Sequence, residues 1–197
     1  MIKLFQRLPD GVTVDGRFYP CDFDFRNVLK MLDIMQREDI YPDARDTLCV
    51  RCVVRRKVNN VPAVYRAVKD ILFEKTPDGG GKKITSFEQD AGLIRAAFRQ
   101  VYGINLFTDR MTWFEFTELL QNLPEGNKYT DVIGIRARPM PEATKYNAKE
   151  RQWLMEAKQR YALHLSEAEA ARKYQADVGG TFLGLMAMIK GSEEPNG

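Results

Sequence analysis

The stretch "MTWFEFTELLQNLPEG", residues 111–126, reads as a helix with both of its ends marked. Thr112 and Glu115 have the spacing of a capping box, in which hydroxyl and carboxylate each accept the other residue's free backbone N–H. Met111 and Phe116 stand where a hydrophobic staple closes over such a box. Trp113, Phe116, Leu120 and Leu123 recur every three or four residues, the period of one helical face, and Pro124 with Gly126 stops the run. That stripe assigns these four side chains to a core. Phe114 and Leu119 fall off its centre and are left as candidate partner contacts.

The same step recurs on both sides. Asp24 is placed to cap a helix over "FRNVLKMLDIMQRED", with Phe25, Val28, Leu29, Leu32 and Met35 on one face. "VPAVYRAVKDILFEK" carries Pro62 where a first turn tolerates it and aligns Val64, Val68, Ile71 and Leu72. In "SFEQDAGLIRAAFRQVYG", Ser86 and Gln89 have capping-box spacing, Phe87, Ala91, Ile94, Phe98 and Val101 form the stripe, and Gly103 ends it. Asn147 with Glu150 opens a helix through Trp153, Leu154, Ala157 and Tyr161, and Ser166 with Glu169 opens one through Ala170 and Tyr174.

Other stretches read differently. "YPDARDTLCVRCVV" puts Leu48, Cys49, Cys52 and Val53 on one stripe if helical, while its valines keep a strand open over 48–54. "DVIGIRARP", residues 131–139, reads as short extended or irregular chain. Near the N-terminus, Val12 and Val14 precede Asp15-Gly16, with Phe18 and Tyr19 beyond; Asp-Gly suits a two-residue hairpin turn. The expected fold is mainly α, a multi-helix globular domain with a small N-terminal β-hairpin. Its bounds are 1–178, with the hairpin at 10–20 and a flexible loop at 76–83, followed by an apolar segment and frayed tail at 179–197.

Composition excludes several classes. A net charge of +3 implies no polyanion partner by itself. The longest apolar run, "FLGLMAMI" at 182–189, is far short of the about 20 residues of a membrane span. No apolar run of leader length follows Lys3, so a secretory leader is not expected. The cysteines, Cys21, Cys49 and Cys52, are odd in number and suit a reducing compartment.

Catalytic chemistry is sparse. The single histidine, His164, sits just before an expected helix cap. Cys49 and Cys52 have the gap of a zinc knuckle, but only Cys21 and His164 remain to complete four ligands, so the pair reads as small core residues. "TPDGGGKK" fails the phosphate-loop pattern, with Lys83 where Ser or Thr is required and Thr76 where Gly is. Glu115 and Glu118 share a face, but capping explains the first. The strongest charge feature is a basic belt of Arg45, Arg51, Arg55, Arg56, Lys57, Arg66 and Lys69 against Asp46 alone. Arg51, Arg55, Arg56 and Lys57 are its candidate contact surface, for an acidic protein or, without any recognition motif, for nucleic acid. The residues thus suggest no enzyme, no metal and no cofactor.

Three stretches in order resemble the bacteriophage "gene product fifteen" family of tailed phages and prophages. They are the hairpin running into "DFDFRNVLKMLD", with "DFR" at 24–26 opening the first helix; "SFEQDAGLIRAAFRQVYGINL"; and "MTWFEFTELLQNLPEGNKYTDVIGIRARPM" followed by "NAKERQWLMEAKQRYAL". The resemblance spans roughly residues 10–163 by those stretches. It implies a product of the tail gene block acting in the host bacterial cytoplasm. The role it implies is a tail assembly chaperone that coats the long tape-measure protein, keeps it soluble and is absent from the finished virion. Such a protein needs apolar contact surfaces and no catalytic residue. Phe182, Leu183, Met186 and Ile189, beyond Gly179-Gly180, are candidate contacts with client or with a second copy. A structural tail or head-tail component retained in the virion is the alternative, and a basic nucleic-acid-binding factor the third reading.

Overall fold

Asp15 and Gly16 both adopt positive φ, 51° and 72°, the backbone of a two-residue hairpin turn. They join β1 (Gly11–Val14) to β2 (Arg17–Pro20), antiparallel with Val12 opposite Tyr19 and Val14 opposite Arg17. Val12 and Tyr19 are buried and Phe18 faces out. The computed structural model describes residues 7–73 and 84–164, so the loop at 76–83, the helix expected after Ser166 and the apolar run at 182–189 lie outside the described residues. Among the described residues seven helices follow the hairpin: α1 (Phe25–Gln36), α2 (Pro42–Val53), α3 (Val61–Leu72), α4 (Ala91–Tyr102), α5 (Trp113–Gln121), α6 (Lys128–Ala137) and α7 (Ala148–Arg160). The mainly α fold with an N-terminal hairpin is as the sequence reads.

The opening stretch behaves as its pattern requires. Thr112 Oγ1 accepts from Glu115 N at 3.3 Å, and Glu115 Oε2 accepts from Thr112 N at 2.8 Å, closing the capping box of α5. Trp113 and Phe116 are buried, while Leu120 and Leu123 are half-buried against the core. The start of α5 is also laced to the start of α1, because Trp113 N donates to Phe23 O and Phe25 N to Met111 O. Thr112→Ala is therefore expected to lower stability by about 1 kcal/mol, within a range of about 0.5–2. Urea unfolding checks it, with the midpoint falling at unchanged slope.

Elsewhere the structure revises the reading. α1 is capped by Asp24, which accepts from Arg26 N, but its buried line is Phe25, Val28 and Met31. Leu29, Leu32 and Met35 are only half-buried, because α1 is packed by both α2 and α5 and its inward face turns toward Met31. Residues 48–53 are helical, not a strand: packing of Cys49, Val50 and Val53 overrides the β preference of the valines. Strand character shrinks to Val54, which forms a single antiparallel bridge with Cys21. Leu48, expected on the inner stripe, is exposed, and Val50 takes its place.

The segment 131–139 is the largest revision, since most of it forms α6. Asn127 is its cap: Oδ1 accepts from Thr130 N at 3.1 Å and Nδ2 donates to Pro124 O at 2.7 Å. Gly134 and the β-branched Val132, Ile133 and Ile135 weaken local helix preference, and burial of Tyr129 and Val132 overrides it. Two box-like starts also resolve otherwise. Ser86 Oγ accepts from Gln89 N, but the chain makes a turn over 87–90 and α4 begins at Ala91. Asn147 Oδ1 accepts from Thr144 N rather than from the helix, and Glu150 pairs with Arg138. Gly103 ends α4 in the left-handed region, φ 71°, as expected.

One core joins the chain on both sides of residues 74–83. Phe116 is its hub, with ring centroids 4.8 Å from Phe25, 5.3 Å from Phe98, 5.9 Å from Trp113 and 6.1 Å from Phe87. Trp113 faces Phe73 edge-on at 6.1 Å and donates through Nε1 to Leu72 O at 3.3 Å.

Candidate functional site

A buried ion pair fixes the half of the molecule built from α4, α6 and α7. Arg136 on α6 grips Asp90 through two bonds, Nη1 to Oδ2 at 2.7 Å and Nη2 to Oδ1 at 2.9 Å. The same guanidinium donates to Ile84 O at 3.1 Å and Tyr161 O at 2.6 Å. Asp90 Oδ2 also accepts from Ser86 N at 2.9 Å. Burial opposes ionisation of Asp90, but Arg136 and the Ser86 amide outweigh it and hold the carboxyl below its ordinary value. Gln89 clamps the chain after α7, donating to His164 O at 2.7 Å and accepting from His164 N at 2.8 Å.

Two clefts open on this frame. The first, about 490 Å³, lies between α6 and α7 with Ile135, Trp153 and Tyr161 on its walls. Trp153 is 53% exposed rather than on a buried stripe, because α7 packs only through Leu154 and Ala157. Lys128 Nζ sits 4.8 Å from the Tyr161 ring centroid and 2.8 Å from its Oη, which holds the phenol below its ordinary value. The second, about 400 Å³, lies between α1, the start of α4 and the loop 104–109. Phe25, Leu29, Phe87, Ile94, Leu106 and Phe107 supply its apolar walls, with Phe116 beneath. No residue-by-residue reading finds this cleft, since its walls come from distant stretches. The available signal is an aromatic, Phe107, set among the turn-forming residues of "INLFTDR".

The residues singled out from the sequence are scattered. Phe114 is half-buried and packs edge-on against Phe23 at 5.7 Å. Leu119 is half-buried, and its carbonyl accepts from Tyr102 Oη at 2.9 Å. Neither lines either cleft. Phe182, Leu183, Met186 and Ile189 lie outside the described residues. The basic belt divides: Arg55 pairs with Asp22, Arg45 donates to Arg37 O at 3.2 Å, and Lys69 lies over Tyr65. Arg51, Arg56 and Lys57 are exposed and hold no ion pair among the described residues.

The thiols are part of the fold. Cys49 is buried with Sγ donating to Met31 O at 3.7 Å, and burial pushes its thiol up to about 11. Burial does the same to Cys21, also about 11. Both are protonated at neutral pH and so are poor nucleophiles. Among the described residues no group of three or more His, Cys, Asp or Glu is placed to hold a metal ion, and no helix is long and apolar enough to cross a membrane.

The architecture defines a class: a mainly α protein with an N-terminal hairpin packed on α3 and open clefts lipped by aromatic side chains. The chain belongs to a bacteriophage family, because the family model described as Bacteriophage Gp15 protein matches residues 4–163. Comparison with curated proteins and with solved structures gives no match.

Proposed function

We propose that this phage protein is a tail assembly chaperone that binds the tape-measure protein during tail morphogenesis in the host cytoplasm. The observation that carries the reading is membership of the phage family over residues 4–163, with the tail-block role that the sequence resemblance implies for such proteins. The surface supports it. A long helical client with apolar stripes is kept soluble by covering those stripes, and a helix-in-groove contact needs apolar clefts on a polar exterior. The cleft beside Phe107 has that character, and the α6–α7 cleft mixes aromatic walls with charged ones. Mass spectrometry of purified virions tests the reading. The chaperone is expected to be absent from the particle, whereas recovery in stoichiometric amount contradicts it and favours the retained structural component. The exposed Arg51, Arg56 and Lys57 are what the third reading, nucleic-acid binding, rests on, and it predicts DNA retention that falls steeply with salt.

A further inference from the structure

We propose that the cleft beside Phe107 seats an amphipathic helix whose apolar stripe is flanked by carboxylates. Only the identity of the natural partner, a tail protein, rests on the chaperone reading.

The first observation is how Phe107 is held. Phe107 is 73% exposed, yet its loop is tightly tied. Asn105 O accepts from Thr108 N at 3.0 Å and Asp109 N at 2.8 Å, and Asn105 Oδ1 accepts from Phe107 N at 3.2 Å. Asp109 Oδ2 accepts from Asn105 N at 2.8 Å. From α1, Arg26 Nη2 donates to both Leu106 O, at 3.0 Å, and Asp109 O, at 2.7 Å. An exposed aromatic on a fixed loop loses little freedom on binding, the property of an interface anchor.

The second observation is the shape. A volume of about 400 Å³ suits a few side chains of a partner. The walls are helices and a loop, with no strand edge on which an extended peptide can add. Helix-in-groove is the mode that fits. Gly92, beside the lining residue Ala91 on α4, has nothing within 4 Å of where a Cβ would sit, so the backbone there is uncovered.

Charge selects the partner. Two arginines and no carboxylate line the cleft. Arg26 is already paired with Asp24 at 3.2 Å. Arg95 lies 4.8 Å over the Phe107 ring and holds no ion pair among the described residues. Arg99, one turn further along α4, is exposed but already faces the Asp109 carboxylate, which leaves Arg95 as the charge a partner would meet. A helix with glutamates beside its apolar stripe complements this rim. The α6–α7 cleft is less selective, since Asp131 joins its lining and Arg138 is paired with Glu150 at 2.6 Å.

The test uses the full chain and a fluorescein-labelled helical peptide of about 20 residues, long enough to hold a helix. It carries leucines at i, i+3, i+4 and i+7 with glutamate flanks. Controls are the same peptide with lysine flanks and a scrambled one. The glutamate peptide is expected to bind, Phe107→Ala to weaken it about tenfold or more, and Arg95→Glu to shift preference to the lysine peptide. Trp153→Ala is expected to leave affinity unchanged. Equal binding of the scrambled peptide, indifference to Phe107→Ala, or loss through Trp153→Ala instead overturns the proposal. Phe107→benzoylphenylalanine identifies the occupant: crosslinking to the peptide supports the proposal. A crosslink to residues 165–197 or to a second copy that the peptide does not displace overturns it. Client solubilisation that survives Phe107→Ala sinks this cleft and spares the chaperone reading. Peptide binding without any tail-protein client does the reverse.

Discussion

Arg136→Ala is expected to lower stability by about 3–5 kcal/mol, the cost of removing one partner from a buried ion pair. The Asp90 side chain is only 2% exposed, so without the guanidinium its charge is left nearly dry. The variant also loses donors to Ile84 O and Tyr161 O, which hold the segment before α4 and the end of α7. A typical domain has about 5–15 kcal/mol in total, so the variant should sit near the edge of folding. Urea unfolding checks the size of the effect. The pH dependence checks its cause. The Asp90 carboxyl is held below its ordinary value when folded, so its contribution is present above an unfolded value of about 3.9 and is lost as pH falls through the folded value. Wild type should therefore lose stability on acidification below about pH 4. In Arg136→Ala burial acts on Asp90 with its main opponent gone, the folded value rises, and mild acidification should recover part of the loss.

Phe116→Ala should cost about as much, roughly 3–5 kcal/mol, the range for a large buried aromatic. Phe116 is 1% exposed and neighbours four rings from α1, α4, α5 and the segment before α4. No single neighbour can move in to fill the space, since each is held by its own element. Phe116→Leu, which keeps most of the volume, is expected to cost clearly less. Phe114→Ala, at a half-buried position touching Phe23, should also cost less. A ranking with Phe114 above Phe116 would contradict the core described here. The comparison matters for function because only a position with stability to spare can be spent on binding.

The parts of the fold legible in the sequence are those whose cause is local. The Thr112–Glu115 box, the Asp24 cap, the Asp15-Gly16 turn and the left-handed Gly103 each depend on residues a few positions apart, and all are as read. The misreadings share a different cause. α6 contains a glycine and four β-branched residues, and burial of Tyr129 and Val132 behind the Asn127 cap holds it helical against that preference. Gln89 and Glu150 have box spacing but bond to His164 and Arg138, partners that spacing cannot anticipate. Trp153 has the right period and the wrong surroundings, because α7 is packed from one side. The cleft beside Phe107 was least legible of all. It exists only where α1, α4 and the 104–109 loop meet, and Arg26 reaches across about 80 residues of sequence to hold that loop.

The most direct test of the chaperone reading is co-expression with the tape-measure protein of the same phage, measuring the client's soluble yield and its co-purification with this chain. The account predicts a client that is insoluble alone, soluble and bound in the presence of wild type, and largely insoluble again with Phe107→Ala. A client equally soluble with and without this protein, and never recovered with it, contradicts the account.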